Sequence, residues 1–241
     1  MVNVVANLTD AIKTYDKHTV LNKINLEIYE GELLGLIGPS GSGKTTTIKC
    51  LLGMEKLNSG NTQVFDQNMP NRKVLNRIGY MGQTDALYES LTAKENLLFF
   101  GKLAGLKKDH LTRSIESCIK VVNLENALDK KVASFSGGMK RRLSLAITLI
   151  SNPDLIILDE PTVGIDPKLR KQVWGQLKSL TNEGKSVIVT THVMDEAERC
   201  DRVGLIVNGQ LFTIGTPKEL KQKFNVDTIE EVFIKVEEVK H

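Results

Sequence analysis

The chain has 241 residues, which is enough for one large α/β domain. Hydrophobic residues make up 41% of it and charged residues 25%, as is ordinary for a globular protein. The net charge of +3 is too small to drive bulk binding to nucleic acid or to an anionic membrane, so no nucleic-acid partner is expected.

The cysteines and the hydropathy pattern predict a cytoplasmic protein. Cys50, Cys118 and Cys200 lie far apart without a C-x-x-C pair, which favours buried thiols in a reducing compartment. No apolar run approaches the ~20 residues needed to span a bilayer. The first residues also lack the charged and apolar stretches of a signal peptide. Any role at a membrane is therefore expected to depend on a partner.

The first predicted elements surround a glycine-rich segment. Residues 4–37 alternate apolar and polar in several short stretches, which predicts an antiparallel sheet. Its last stretch, Leu33–Ile37, is continuously apolar and indicates a buried strand, and residues 46–52 predict a helix. Between them lies a complete match to the phosphate-binding loop G-x-x-x-x-G-K-[ST], namely Gly38-Pro39-Ser40-Gly41-Ser42-Gly43-Lys44-Thr45.

This strand, loop and helix predict a site for a nucleoside triphosphate. The glycines let backbone N–H groups curl around phosphate oxygens, and the positive end of the helix adds attraction. Lys44 is expected to neutralise the charge of the β- and γ-phosphates, and the Thr45 hydroxyl to ligate Mg²⁺. Thr46, the following residue, is also expected to bind the nucleotide. The alternative is a glycine-rich turn with a chance lysine and threonine, which the flanking strand and helix disfavour.

The middle of the chain changes character after a further strand. Residues 58–61 predict a turn and 62–65 a short strand, and residues 77–81 predict a central strand that ends at Gly82-Gln83. Residues 84–150 lack strand patterns and carry helical periodicity, including a capping box at Thr92 and Glu95. They predict a helical subdomain inserted into the α/β core.

The α/β pattern then resumes. The sequence predicts buried strands over 155–158 and 186–191, a helix capped by Asp166-Pro167 and another from about Met194. Residues 203–214 predict a hairpin around Asn208-Gly209, and a capped helix starts at Thr216. The fold class is therefore α/β: a P-loop NTPase core with a mostly parallel sheet, an N-terminal antiparallel β subdomain and an inserted α-helical subdomain.

Two carboxylates follow the apolar strand 155–158. Asp159 is placed to hold Mg²⁺ opposite Thr45, and Glu160 to polarise or deprotonate the attacking water. Without the phosphate-binding loop upstream, two solvated acids at a strand end would be the better interpretation.

Gln83 and His192 also follow predicted strands, and either one alone is weak evidence for a site. The carboxyl ends of parallel strands meet at one edge of a sheet, where the phosphate-binding loop also lies. There the Gln83 amide could orient water or Mg²⁺, and an imidazole N–H of His192 could bond a γ-phosphate oxygen.

A second anion-binding helix start occurs at Ser136-Gly137-Gly138, followed by Met139-Lys140-Arg141-Arg142. One triphosphate does not need two such sites, so this helix end could cap the γ-phosphate of a nucleotide held by another copy. The alternative is a glycine-softened helix start with basic residues on a solvated face.

In this order the motifs resemble those of the nucleotide-binding subunits of ATP-binding-cassette (ABC) transporters, and the resemblance covers nearly the whole chain. In the family's terms, the matching parts are the phosphate-binding loop 38–45, the Q-loop glutamine Gln83, the signature Ser136-Gly137-Gly138-Met139, the Walker B strand ending at Asp159 with Glu160 next, the D-loop Gly164-Ile165-Asp166-Pro167 and the switch histidine His192.

The resemblance implies several properties that the residues alone do not. It implies that Tyr15 stacks on adenine, although a half-buried strand aromatic is the alternative. It further implies a head-to-tail dimer with two ATP molecules sandwiched between phosphate-binding loops and opposing signature helices. Closure and opening of that dimer would drive a separate transmembrane permease, with the ATPase on the cytoplasmic face of the membrane. The loop around Leu87 and Tyr88 is a candidate seat for that partner.

This chain departs from the common signature, Leu-Ser-Gly-Gly-Gln, because Phe135 replaces the leucine and Met139 the glutamine; Ile165 also replaces the usual D-loop leucine. The methionine and the basic residues after it resemble the exporter branch that serves drugs, polysaccharides, lipids or ions. The tail 229–235 is similar to the end of many such subunits. Its apolar stripe is expected to pack on its own domain, and comprises Ile229, Val232, Phe233 and Val236.

These observations divide the chain into an ATPase domain, residues 1–225, and a short amphipathic tail, residues 226–241. An exporter ATPase is the favoured interpretation, and an importer ATPase of the same family is the first alternative. A cassette ATPase acting on a ribosome or chromosome is a second, although no second cassette or coiled coil is present. A non-catalytic nucleotide sensor is disfavoured by Lys44, Asp159, Glu160 and His192.

Overall fold

The structure is a computed structural model that describes residues 3–238. The expectation that the first residues form no signal peptide therefore falls partly outside the described residues, at Met1 and Val2, and so does the end of the tail, 239–241. The strands are β1 (Val4–Tyr15), β2 (His18–Tyr29), β3 (Leu33–Ile37), β4 (Ser59–Val64), β5 (Gln67–Asn68), β6 (Ile78–Met81), β7 (Leu155–Asp159), β8 (Ser186–Thr191), β9 (Arg202–Val207) and β10 (Gln210–Gly215). The α-helices are α1 (Lys44–Leu51), α2 (Ala93–Leu103), α3 (Lys108–Val121), α4 (Gly137–Leu149), α5 (Pro167–Asn182), α6 (Met194–Ala197), α7 (Pro217–Phe224) and α8 (Ile229–Glu238).

The strands form two sheets. The larger has the order β10-β9-β3-β8-β7-β6, and every neighbouring pair in it is parallel except β10 with β9. The smaller, β2-β1-β4-β5, is antiparallel. The predicted α/β class, with a mostly parallel sheet and an N-terminal antiparallel subdomain, is confirmed.

The larger sheet is buried on both faces, which explains why its strands are continuously apolar. Successive side chains of a strand point to opposite faces. Accordingly, Leu33 and Ile37 of β3 join the core cluster formed with α2 to α8. Leu34 and Leu36 join a second cluster, with α1 and the antiparallel sheet. Two hydrophobic cores therefore pack against the two faces of the sheet that carries the site.

Two predictions about the strands were wrong. Ser59, Gly60 and Asn61, predicted within a turn, lie in β4, where Ser59 pairs with Ile12 of β1. The edge of β1 that faces away from β2 supplies hydrogen-bond partners that the turn-like composition of this segment could not reveal. The strand β6, predicted to be central, lies at the edge of its sheet and pairs with β7 alone among the described strands.

The helical expectations are confirmed. Residues 84–150 contain α2, α3 and α4, which contact one another, and otherwise only short 3₁₀ turns, loops and one isolated bridge. Thr92 and Glu95 form the predicted capping box, Thr216 and Glu219 form a second one, and Asp166 caps α5. No helix within residues 3–238 has both the length and the apolar character needed to cross a membrane.

The tail helix α8 packs on the domain, as predicted from its apolar stripe. Ile229, Val232 and Val236 are fully buried, and Phe233 packs against the same cluster from a half-buried position. The contacts are with α6 and α7, which follow the switch histidine His192 in the chain. The last helix is therefore part of the core of the chain.

We expect Val232→Ala to lower the free energy of unfolding by about 1–3 kcal/mol, because it removes buried methyl groups and leaves a cavity. Ile234→Ala is the matched control, since Ile234 is 47% exposed on the same helix. Its expected cost is within about 0.5 kcal/mol. Urea unfolding of both variants measures the difference. Equal losses would show that α8 is not docked as described.

Candidate functional site

The phosphate-binding loop joins β3 to α1 at the carboxyl edge of the larger sheet. Gly38 and Gly43 require glycine, because a Cβ at Gly38 would lie 2.1 Å from the Ile206 carbonyl oxygen and Gly43 has φ +107°. Pro39, Ser40, Gly41 and Ser42 complete the loop, and Thr46 lies in the first turn of α1. The N–H of Gly209 donates to the Ser42 carbonyl oxygen (3.0 Å), so the β9–β10 hairpin supports the loop.

Lys44 lies buried under this loop. Its ammonium donates to the carbonyl oxygens of Gly38 (2.8 Å) and Pro39 (2.9 Å), which arches the loop over the side chain. Burial lowers the pKa of Lys44, and the carboxylates of Glu160 and Asp159 oppose that shift. The cation is therefore held at the loop by backbone oxygens and faced by two acidic residues.

The three residues predicted to ligate Mg²⁺ are in contact with one another. The Thr45 hydroxyl donates to Asp159 Oδ2 (2.8 Å), and the Gln83 amide donates to Thr45 Oγ1 (3.1 Å). Asp159 is fully buried, and its other carboxylate oxygen accepts a hydrogen bond from Thr190. The structure thus brings together residues separated by up to 114 positions in the chain.

The chemistry of this group of residues fits Mg²⁺. Hydroxyl, carboxylate and amide oxygens are hard ligands, and Mg²⁺ is commonly held by one or two protein groups plus phosphate oxygens and water. Within residues 3–238 there is no cluster of three or more His, Cys, Asp or Glu that could hold a metal ion. The fit therefore depends on the phosphates of a bound nucleotide. Ser42 Oγ, which is buried and has no partner in the described part of the chain, fits a phosphate oxygen as well.

Glu160 and His192 lie side by side next to this group. His192 Nδ1 is 3.5 Å from Glu160 Oε1, and the side chains are 53% and 24% exposed, respectively. The Glu160 backbone is left-handed, with φ +53°, and its N–H donates to the Thr190 carbonyl and hydroxyl oxygens (3.1 Å each). This conformation is costly for a residue with a Cβ, and it turns the side chain out of the strand direction.

The signature helix start has the predicted cap. Ser136 is the N-cap of α4, and its Oγ accepts a hydrogen bond from the Met139 N–H (3.3 Å). Gly137 and Gly138 open the helix, and they line a cavity of about 840 Å³ with Ser40 and Glu160. No hydrogen bond between described residues joins the signature to the phosphate-binding loop of the same chain.

The two unusual signature residues have packing roles. Phe135 is buried in the core cluster, and Met139 packs against that cluster from a half-buried position. Both residues, Phe135 and Met139, therefore make apolar contacts with the core at their positions.

The basic residues that follow are not on a solvated face, so that alternative was wrong. Arg141 is 6% exposed and donates to the carbonyl oxygens of Gly82 (2.8 Å), Gln83 (3.2 Å) and Glu160 (2.8 Å), and also to that of Asp159. One guanidinium thus joins the signature helix to both the Q-loop and the Walker B strand end.

The neighbours of Arg141 make further contacts of the same kind. Lys140 pairs with Glu89, and Arg142 donates to the carbonyl oxygens of Val122 (3.2 Å) and Asn123 (2.9 Å) at the end of α3. Helical periodicity could have revealed Arg141, because it lies on the same face of α4 as Leu145 and Thr148, which are buried.

Tyr15 ends β1 and is 40% exposed. The Lys13 ammonium lies 4.5 Å from the ring centroid. Burial raises the pKa of Tyr15, and the carboxylate of Glu55 adds to the increase. No hydrogen bond of the described residues links Tyr15 to the phosphate-binding loop, so adenine stacking stays a prediction.

The fold and these contacts define the class of protein: a P-loop NTPase whose nucleotide site lies at the carboxyl edge of a parallel sheet. Comparison with known proteins agrees. The ABC transporter family profile matches residues 21–163, more than half of the chain, and the chain belongs to this family. Its enzymatic class is ATPase.

The names of two curated relatives refer to export and to linearmycin resistance. The chain is 40% identical over 222 residues to the Nod factor export ATP-binding protein I of Burkholderia lata. The alignment covers 90% of this chain and 73% of the relative. The chain is also 40% identical over 220 residues to the linearmycin resistance ATP-binding protein of Bacillus subtilis, covering 90% and 71%.

A solved structure of a bacterial ABC transporter cassette, described as dimeric, has a TM-score of 0.81 at 28% identity and covers 88% of this chain and 98% of its own. The same cassette in a post-hydrolysis state, bound to ADP and Pi, has a TM-score of 0.80 at 27% identity, with the same two coverages. The fold of this chain is therefore that of an ATP-hydrolysing cassette.

Proposed function

We propose that this chain is the ATP-hydrolysing subunit of an exporter, working as a head-to-tail dimer on a separate transmembrane subunit. The observation that carries the proposal is the contact group of Thr45, Asp159 and Gln83 beside the Glu160–His192 pair. The exporter assignment is supported by the names of the two relatives, which refer to export and to linearmycin resistance. The unit would comprise an ATPase domain, residues 1–225, with its helical insert at 84–150, and the tail 226–241.

In this proposal the loop residues bind the triphosphate and position its γ-phosphate. Backbone N–H groups of residues 40–45 and the Lys44 ammonium contact phosphate oxygens, and Tyr15 stacks on the adenine. Thr45, Gln83 and Asp159 would hold Mg²⁺, which neutralises the charge that develops on the phosphates.

Hydrolysis requires a base at the edge where Glu160 lies. Glu160 accepts the proton of the water that attacks the γ-phosphorus, the bond to the β-phosphate oxygen breaks, and ADP and phosphate form. His192 orients Glu160 through their 3.5 Å contact and donates a ring N–H to a γ-phosphate oxygen. A positioned base contributes typically ~10²–10⁴-fold.

We therefore expect Glu160→Gln to lower the ATPase rate at least about a hundredfold, because the amide cannot accept a proton. ATP should remain bound and favour a stable dimer on size-exclusion chromatography. Glu183→Gln, which removes the same charge at the exposed end of α5, is the control and should leave the rate unchanged. Near-normal hydrolysis by Glu160→Gln would show that Glu160 is not the catalytic base.

The signature of one copy is proposed to complete the site of another. Ser136, Gly137 and Gly138 present an open helix N-terminus, and no hydrogen bond within residues 3–238 joins them to the phosphate-binding loop of their own chain. The dimeric state of the related cassette supports this arrangement. A second copy, or a close homologue, would therefore be an obligatory partner in hydrolysis.

Ser136→Arg is expected to abolish hydrolysis while leaving ATP binding to isolated monomers nearly unchanged, since in this proposal Ser136 caps the nucleotide of the other copy and, within residues 3–238, makes no hydrogen bond to the phosphate-binding loop of its own chain. Binding of a fluorescent ATP analogue and phosphate release measure the two effects. Ser117→Arg adds the same charge on the exposed face of α3 and serves as control. If monomer binding and turnover fell together, the head-to-tail arrangement would be contradicted.

An apolar groove beside the Q-loop is the proposed seat of the transmembrane partner. A cavity of about 490 Å³ there includes Gly82, Leu87 and Leu103 in its lining. Beside it, the Tyr88 and Phe99 rings stack edge to face with centroids 4.9 Å apart, although both are more than 40% exposed. Exposed apolar side chains at this density mark interaction sites. A helix of the membrane protein seated here would contact the segment that follows Gln83, on the cytoplasmic face.

A cross-linking experiment tests this placement. We expect Leu103→Cys, at a position 73% exposed, to cross-link to a polytopic membrane protein in membranes of the native host. Ile234→Cys on α8 is the control, and the native Cys50, Cys118 and Cys200 are buried. Products with ribosomal or chromosomal proteins alone would favour a soluble machine. A product with a membrane protein that imports its substrate would favour the importer alternative.

A further inference from the structure

Glu196 is a buried carboxyl group that the proposed catalytic roles do not use. It lies in the short helix α6, four residues after His192, and is only 2% exposed. Burying such a group is costly unless hydrogen bonds compensate, so its partners indicate what it does.

Its two carboxyl oxygens bind two different segments of the site. Glu196 Oε1 accepts a hydrogen bond from the Thr162 hydroxyl, and Oε2 accepts one from the Thr191 hydroxyl. Both threonines are buried, at 3% and 2% exposure. Thr162 lies two residues after Glu160, and Thr191 directly precedes His192. One side chain therefore bridges the loop that follows the base and the strand end that carries the histidine.

A third contact extends this bridge to the D-loop. Arg170 Nε of α5 lies 3.7 Å from Glu196 Oε1, and Arg170 Nη2 donates to the Ile165 carbonyl oxygen (3.4 Å). Ile165 belongs to the loop that lines the same cavity as Glu160 and Ser136. Glu196 is thereby connected to the strand end that carries His192, to the loop after Glu160 and, through Arg170, to the D-loop.

The Thr191 hydroxyl also has a second role. It accepts a hydrogen bond from the Val193 N–H (3.0 Å) while donating to Glu196. The peptide N–H that follows His192 is thus bound to the hydroxyl of the residue that precedes His192, and that hydroxyl is in turn oriented by the Glu196 carboxyl. Such hydrogen-bonded support restricts the position of a side chain that is itself half exposed.

We propose that Glu196 is a positioning residue: it fixes the segment carrying His192 against the loop carrying Glu160, and so maintains their 3.5 Å contact. The proposal rests on the catalytic roles assigned above to Glu160 and His192. It assigns Glu196 no contact with the nucleotide. Replacement of Glu196 should consequently affect the rate of hydrolysis and not the binding of ATP.

The first test is Glu196→Gln, which keeps the shape but offers one acceptor oxygen in place of two. We expect kcat to fall about five- to fiftyfold while KM for ATP changes less than twofold and Tm changes little. Asp195→Asn, on the exposed face of the same helix, is the control and should keep the normal kcat. An unchanged kcat in folded Glu196→Gln protein would overturn the proposal.

A second test separates positioning from a general structural role. Thr162→Val and Thr191→Val remove the two hydroxyls without changing volume much, and each should lower kcat in the same direction, even if Glu196→Gln fails to fold. In a His192→Ala background Glu196→Gln should lower kcat by less than twofold, because the segment it positions no longer carries the histidine. An equal fall in both backgrounds would contradict positioning. Full activity of His192→Ala and Glu160→Gln would instead refute the catalytic roles themselves.

Discussion

Asp159 is fully buried at the end of β7, where its two carboxylate oxygens accept hydrogen bonds from Thr45 of α1 and Thr190 of β8. A buried carboxylate is tolerated only when its hydrogen bonds are satisfied. This requirement holds the start of the helix after the phosphate-binding loop against two neighbouring strands. Gln83 reaches the same hydroxyl from the end of β6. The site therefore depends on one carboxylate at the sheet edge.

Directly after Asp159 the backbone enters the left-handed region at Glu160, and this change of direction places the next carboxylate beside His192. Left-handed backbone at a residue with a Cβ persists only where its surroundings impose it. Here two hydrogen bonds from the Glu160 N–H to Thr190, and one from Arg141 to the Glu160 carbonyl oxygen, do so. Strain at this residue is thus compensated by polar contacts from the sheet and the signature helix.

The helical subdomain is joined to the sheet through polar groups as well as apolar packing. Arg141 crosses from α4 to four backbone carbonyl groups at the ends of β6 and β7. A displacement of the signature helix would therefore displace the backbone of Gln83 and Glu160 as well. On the opposite side, Glu196 connects the switch segment to the loop after Glu160. Together these two side chains link the segment around Gln83, the end of β7 with the loop that follows it, and the strand end that carries His192.

Local patterns in the sequence determined much of this protein. Continuous apolar runs identified β3, β7 and β8, capping boxes identified two helix starts, and the loop motif identified the phosphate-binding segment, because each depends on neighbours in the chain. Only the tertiary structure decided that β6 is an edge strand, that Ser59 extends a sheet, which carbonyl groups Arg141 binds and that Glu196 is buried. Strand order and buried polar partners are set by residues distant in sequence, so no local pattern specifies them.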